Sequence, residues 1–158
     1  MPTIDLLLPT CARPTALAVT LTSLCAQTFR DFRVIISDQT EDSNPLETAE
    51  VQTAIRVLET HSHIVETHKH LPRQGIAEQR QFLLDQAIAP YVLYLDDDLI
   101  LEPWTIALLV NAMQSEHCGF VGSAVIGLSF RDDIRPHQQT VEFWDEPVQP
   151  ELITAGTP

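Results

Sequence analysis

Tyr91-Val92-Leu93-Tyr94-Leu95-Asp96-Asp97-Asp98 is a strand-forming apolar run that ends abruptly in three carboxylates. Adjacent acids repel one another, so gathering them needs a hard cation or solvated exposure. In an open α/β sheet the carboxyl end of a strand is also where ligands bind. The same pattern recurs upstream. Ile4-Asp5-Leu6-Leu7-Leu8 is a short apolar run ending at Pro9-Thr10, and Phe32 to Ser37 is another ending at Asp38. Between these runs the apolar residues change period. Pro14 suits the first turn of a helix, and Leu17, Leu21, Leu24 and Cys25 recur at helical spacing to about Gln27.

Working outward, Asn44-Pro45-Leu46-Glu47 has the composition of a capping box, predicting a helix from there to Thr60 with Leu46, Val51, Ile55 and Leu58 apolar. His63 to His68 predicts a short strand. Gly75 to Ala89 predicts a helix with Ile76, Phe82, Leu83 and Ala87 inward. A further helix is predicted from Glu102-Pro103 to about Glu116, then a strand over Gly119 to Leu128 and a last one over Thr140 to Trp144. The alternation of strands and helices defines an α/β class, an α/β/α sandwich around a mostly parallel sheet. Asp145 to Pro158, rich in proline and without periodicity, is expected to be irregular.

The chain has 158 residues, the length of a single domain, and is expected to form one. No apolar run approaches the ~18 residues of a membrane helix, so no membrane span is expected. Cys11, Cys25 and Cys118 are odd in number and unpaired by spacing. That suits free thiols in a reducing compartment, and a cytoplasmic protein is expected. The net charge of −13, from 9 Lys and Arg against 22 Asp and Glu, disfavours nucleic acid as a partner. It permits a phosphorylated small molecule held by a cation or by a few arginines, because fields are screened over about 8 Å.

In a parallel sheet the strand ends lie on one edge, so Thr10, Asp38 and Asp96-Asp97-Asp98 are expected to line one crevice. The chemistry that fits is a metal-bound diphosphate: Mn²⁺ or Mg²⁺ takes carboxylate and phosphate oxygens, and neutralises charge on a departing diphosphate. Asp38 could accept hydrogen bonds from a base or ribose. The histidines His61, His63, His68 and His70 alternate as chelating pairs would, but a solvated strand and its flanks account for them. Trp104 is expected to pack. Phe143-Trp144 could stack on a sugar or serve the core.

Four segments carry a family resemblance. Pro9-Thr10-Cys11-Ala12-Arg13-Pro14 is similar to the P-T-Y-N-R-P opening of the family 2 glycosyltransferases, which have the GT-A fold (a Rossmann-like sandwich). Leu24-Cys25-Ala26-Gln27-Thr28-Phe29 and Asp31 to Asp38 resemble their S-L-L-A-Q-T-Y and F-E-V-I-V-V-D-D segments. Gly75-Ile76-Ala77-Glu78-Gln79-Arg80 resembles G-x-A-x-A-R-N, and Asp96-Asp97-Asp98 resembles the D-x-D motif. The resemblance covers roughly residues 3–128. It implies inverting transfer of a sugar from a nucleotide diphosphate, a UDP-sugar by default, to a carbohydrate or other hydroxyl acceptor. Carried over by position, Asp38 would contact the nucleoside, Thr10 the base, Asp96 the ribose or metal, and Asp98 the metal. Asp97 falls within the same donor-binding motif. Arg73 and Arg80 would meet the nucleotide or its diphosphate. Self-association into a homo-oligomer is compatible with this reading.

Three departures stand out. Cys11-Ala12 replaces Tyr-Asn, so an aromatic contact to the base is missing. Gln39 stands in place of the second acid of the D-D pair. The family's acceptor-activating carboxylate lies well downstream of D-x-D, where this sequence offers Asp132, Asp133, Glu142 and Asp145 as candidates and runs only to Pro158. The expectation is therefore an N-terminal or shortened version of such an enzyme. The alternative function is a nucleotide-sugar-binding module, or a catalytically incomplete half. A sugar nucleotidyltransferase is set aside because the loop after the first strand lacks glycine.

Overall fold

The computed structural model describes residues 1–123, and Met1–Gly122 form one compact unit. Four strands make its sheet: β1 (Ile4–Thr10), β2 (Phe32–Asp38), β3 (Ile64–Lys69) and β4 (Tyr91–Tyr94). Four helices alternate with them: α1 (Pro14–Cys25), α2 (Ala49–Thr60), α3 (Ile76–Asp85) and α4 (Thr105–Glu116). All pairings are parallel, in the order β3-β2-β1-β4. The chain thus winds outward from β1 in one direction, then returns to place β4 on its other side. The carboxyl ends of β1 and β4 flank the switch point where such sheets bind ligands.

The sheet's faces are unequal. Alternate residues Ile4, Leu6 and Leu8 of β1 and Phe32, Val34 and Ile36 of β2 join Leu17, Leu21 and Leu24 of α1, Val51, Ile55 and Leu58 of α2, and Ile106 and Val110 of α4 in the main core. The opposite face is thin and polar. There Leu7 and Ile35 meet Leu83 of α3, with Phe82 alongside. Below them Asp5, fully buried, accepts from Arg33 Nε (2.9 Å) and Nη2 (2.8 Å) and from the Ile88 and Ala89 amides (2.7 and 2.9 Å). Arg33 also donates to Glu66 (2.7 Å).

Several boundaries differ from expectation for identifiable reasons. Asn44 makes no side-chain cap; Pro45–Glu47 form a separate 3₁₀ turn, and the extended Thr48 (ψ 150) breaks it from α2. The Leu46 carbonyl accepts from Gln52 Nε2 (2.7 Å), which holds the broken turn in place. Helix α3 stops at Asp85, short of Ala89, because the following amides cap Asp5. Ile76, expected inward, is exposed; the buried positions of α3 are Gln79 and Leu83. Helix α4 begins at Thr105, since the Pro103 carbonyl is taken by the Thr28 amide (2.7 Å). Trp104, expected to pack, is exposed. His63 is not solvated: it is buried and stacks on Phe32 with ring centroids 3.9 Å apart. Residues 119–123 are irregular; the rest of the expected strand to Leu128, the strand over Thr140 to Trp144 and the segment from Asp145 lie outside the described residues.

Candidate active site

The cleft at the switch point has a volume of about 260 Å³. Thr10, Arg13, Gln39, Arg73, Gly75 and Asp96-Asp97-Asp98 are among its lining residues. Its floor is rigid. Gln79 reaches from α3 and donates through Nε2 to the Thr10 carbonyl (3.0 Å) and the Ser37 carbonyl (2.7 Å), joining the ends of β1 and β2. The loop after the acids is pinned to α1: Leu99 N donates to Thr20 Oγ1 (3.0 Å), and buried Gln27 bonds the Glu102 carbonyl (2.9 Å) and the Ile106 amide (3.3 Å).

The three acids divide. Asp97 turns inward, 5% exposed, and accepts from Thr10 Oγ1 at 2.6 Å and from Arg13 Nη1 at 3.0 Å. Burial pushes its carboxyl above the usual range, with Asp98 and Asp96 adding to the rise and Thr10 and Arg13 opposing it. Asp96 and Asp98 face outward, with side chains 57% and 47% exposed. Arg80 Nη2 holds Asp96 (2.8 Å), and Arg13 Nη2 holds Asp98 (2.8 Å). Those carboxylates raise the pKa of Arg13, chiefly through the Asp98 hydrogen bond. Arg80 also lies 5.9 Å over the Tyr94 ring. Arg73 lines the cleft, and among the described residues it has no ion pair.

Asp38 is placed differently from Thr10 and the triple acid. Its side chain is fully buried: Oδ1 accepts from the Thr40 amide (3.0 Å) and hydroxyl, and Oδ2 from Lys69 Nζ (2.6 Å). Gln39, not Asp38, lines the cleft from β2. Sequence reasoning missed Arg13, which bridges two of the acids. The signal was present, because a cation three residues beyond the β1 end must lie beside the other strand ends. Ala12, which precedes it, takes a positive φ of 58, a conformation that asparagine tolerates better than alanine. Asp132, Asp133, Glu142 and Asp145 lie outside the described residues.

A parallel sheet of order 3-2-1-4 with acids and arginines at its switch point is an open, doubly wound α/β protein, a class that binds ligands at that point. The family model for glycosyl transferase family 2 matches residues 5–155, and the chain belongs to that family. Its fold is GT-A. The S. aureus TarS structure superposes with a TM-score of 0.60 at 19% identity, covering 82% of this chain and 24% of that one. The TarS 1-349 complex with UDP-GlcNAc gives 0.58 at 20% identity, covering 83% and 38%. Mannosyltransferase PcManGT from Pyrobaculum calidifontis, in complex with GDP-Man and Mn²⁺, gives 0.58 at 21%, covering 71% and 32%. This chain therefore spans well under half the length of these relatives. No curated protein sequence matches it.

Proposed function

We propose that the chain binds a nucleotide diphosphate sugar in this cleft and takes part in metal-dependent, inverting transfer of the sugar to an acceptor hydroxyl. The observation that carries the reading is the meeting of Thr10, Arg13, Arg73 and the triple acid at one switch point. The bound ligands of the structural relatives, UDP-GlcNAc in TarS and GDP-Man with Mn²⁺ in PcManGT, support a nucleotide-sugar donor; UDP is the first to test.

The outward carboxylates suit a divalent cation. Among the described residues no three acid, histidine or cysteine side chains converge on one point. Mg²⁺ is commonly held by one or two carboxylates plus substrate phosphates, which is what half-exposed Asp96 and Asp98 offer. Asp98 would hold the ion, and Asp96 the ion or a ribose hydroxyl. When bound, Mn²⁺ or Mg²⁺ neutralises charge on the leaving diphosphate. Arg73 and Arg13 supply positive charge within reach of the same diphosphate, and Arg80 orients Asp96. Thr10 fixes Asp97, which fixes Arg13, so the outward acids sit on a buried support. In inverting transfer a carboxylate takes the acceptor proton as the sugar bond to the diphosphate breaks; Asp132, Asp133, Glu142 and Asp145 are the candidates.

A second reading, binding without turnover, draws on one observation. Among the described residues the only carboxylates lining the cleft are the three acids themselves. Titration of UDP and GDP with and without Mn²⁺, followed by an assay of sugar-nucleotide hydrolysis and transfer, separates the two. Metal-dependent binding abolished by Asp98→Ala supports the site, and turnover supports the enzyme. Failure to bind any nucleoside diphosphate would overturn both.

A further inference from the structure

The fate of Gln39 and of His70, neither explained by metal or diphosphate chemistry, is linked through Glu78. Gln39 is 1% exposed at the end of β2. Its Nε2 donates to Glu78 Oε2 (2.9 Å), and its Oε1 accepts from the Gly75 amide (3.2 Å). The other oxygen of Glu78 bonds His70 Nε2 (2.8 Å). His70 in turn stacks on Phe82, centroids 3.9 Å apart, and donates its backbone amide to the Asp38 carbonyl (2.9 Å). The segment 70–78 is thus tied at its start, middle and end to the tip of β2. Between those ties stand Arg73, Gly75 and Ile76, one wall of the cleft. Gly75 has φ +96, which lets the chain turn into α3 where its amide meets Gln39.

We propose that Gln39 is a positioning residue that, through Glu78 and His70, sets the Arg73–Ile76 wall against which the nucleotide lies. The donor requirement is specific. Glu78, with its second oxygen on His70, needs a hydrogen-bond donor at position 39. An acid there accepts from Gly75 but faces Glu78 with a second negative charge, and like carboxylates in contact repel. The amide at 39 is therefore the counterpart of the carboxylate at 78. Exchanging the two groups preserves the number of donors and acceptors between them, whereas changing either alone does not.

This inference rests on the nucleotide-binding reading, and its test separates the two. The full chain would be compared as wild type, Gln39→Glu and the exchange Gln39→Glu/Glu78→Gln. Two quantities are read: amide hydrogen exchange over residues 70–80, and the Kd for UDP with Mn²⁺. Gln39→Glu is expected to speed exchange in that segment and to weaken UDP binding about tenfold, the size of coupling between groups in one network. The exchanged pair is expected to recover wild-type protection, and part of the lost affinity, since position 39 itself lines the cleft. Wild-type protection in Gln39→Glu, or no recovery in the exchanged pair, would overturn the proposal. If Gln39→Glu does not fold, a folded and protected exchanged pair supports the proposal, and an unfolded one overturns it. If wild type binds no nucleoside diphosphate, the donor reading falls while the exchange comparison still decides the role of Gln39.

Discussion

Replacing Thr10 with valine removes one hydroxyl donor while keeping the branched shape of the side chain. In the structure that hydroxyl donates to Asp97 Oδ2 at 2.6 Å, between two buried residues. A hydrogen bond to a charged group contributes about 1.5–3 kcal/mol. For a chain of this length that corresponds to a fall in Tm of roughly 5–10 °C. The sign of its pH dependence follows from Asp97. Burial raises the folded-state pKa of this carboxyl above that of an ordinary aspartate. Such a group favours folding below its unfolded pKa, and the contribution is lost as pH rises through the folded value. Thr10 lowers that pKa, so Thr10→Val raises it further and enlarges the loss at neutral pH. As pH falls through the folded value and Asp97 takes up its proton, only a neutral hydrogen bond of about 1 kcal/mol is at stake. Urea unfolding followed by circular dichroism at pH 7.5 and pH 4, with Thr10→Ser as the control that keeps the hydroxyl, measures both. Equal losses at the two pH values, or none at pH 7.5, would refute the coupling of Thr10 to an ionised Asp97.

Three further outcomes are expected. Asp5→Ala strands the buried Arg33 guanidinium and the Ile88 and Ala89 amides, and costs about 3–5 kcal/mol in urea unfolding at pH 7. Burial raises the Asp5 pKa, but the Arg33 and amide hydrogen bonds outweigh it and leave the pKa lowered. The wild-type advantage is therefore present above the unfolded pKa of about 4 and lost as pH falls through the folded value. Ala12→Gly relieves a left-handed alanine worth about 1–2 kcal/mol but frees the unfolded chain by about 0.4–1 kcal/mol. A Tm rise of about 2 °C with unchanged nucleotide affinity is the expected net result; a fall in Tm would contradict it. Arg13→Gln vacates Asp98, so Mn²⁺ binding without nucleotide, read by the electron paramagnetic resonance of free Mn²⁺, should tighten by up to about fivefold, the range of an exposed ion pair. Unchanged affinity would show that the guanidinium and the cation do not compete.

The strands were legible because their apolar runs are short, bounded by polar turns and spaced by helical periods. From parallel pairing alone it follows that Thr10 and the triple acid meet, and they do. Which way each acid points was not legible. Asp97 and Asp98 are neighbours in the turn beyond β4, yet one is buried and one is half-exposed, because Thr10 and Arg13 capture the middle carboxylate. Asp38 has the same sequence signature as an outward acid, but Lys69 and Thr40, 31 and 2 residues away, take its oxygens. The capping box failed because a local motif was overruled by the extended Thr48. The exposure of Ile76 reflects a polar attachment of α3, through Gln79, that hydrophobic periodicity does not register.

All seven residues of β1 are buried. This strand lies between two neighbours, under helices on both faces, and its last residue is Thr10. A survey of substitutions scored by nucleotide binding would therefore find Leu6, Leu7 and Leu8 as intolerant as residues that touch ligand. Such a map would draw a line of sensitive positions along an interior strand of the sheet. Only a parallel score for abundance of folded protein would tell the positions that build the cleft from those that meet what enters it.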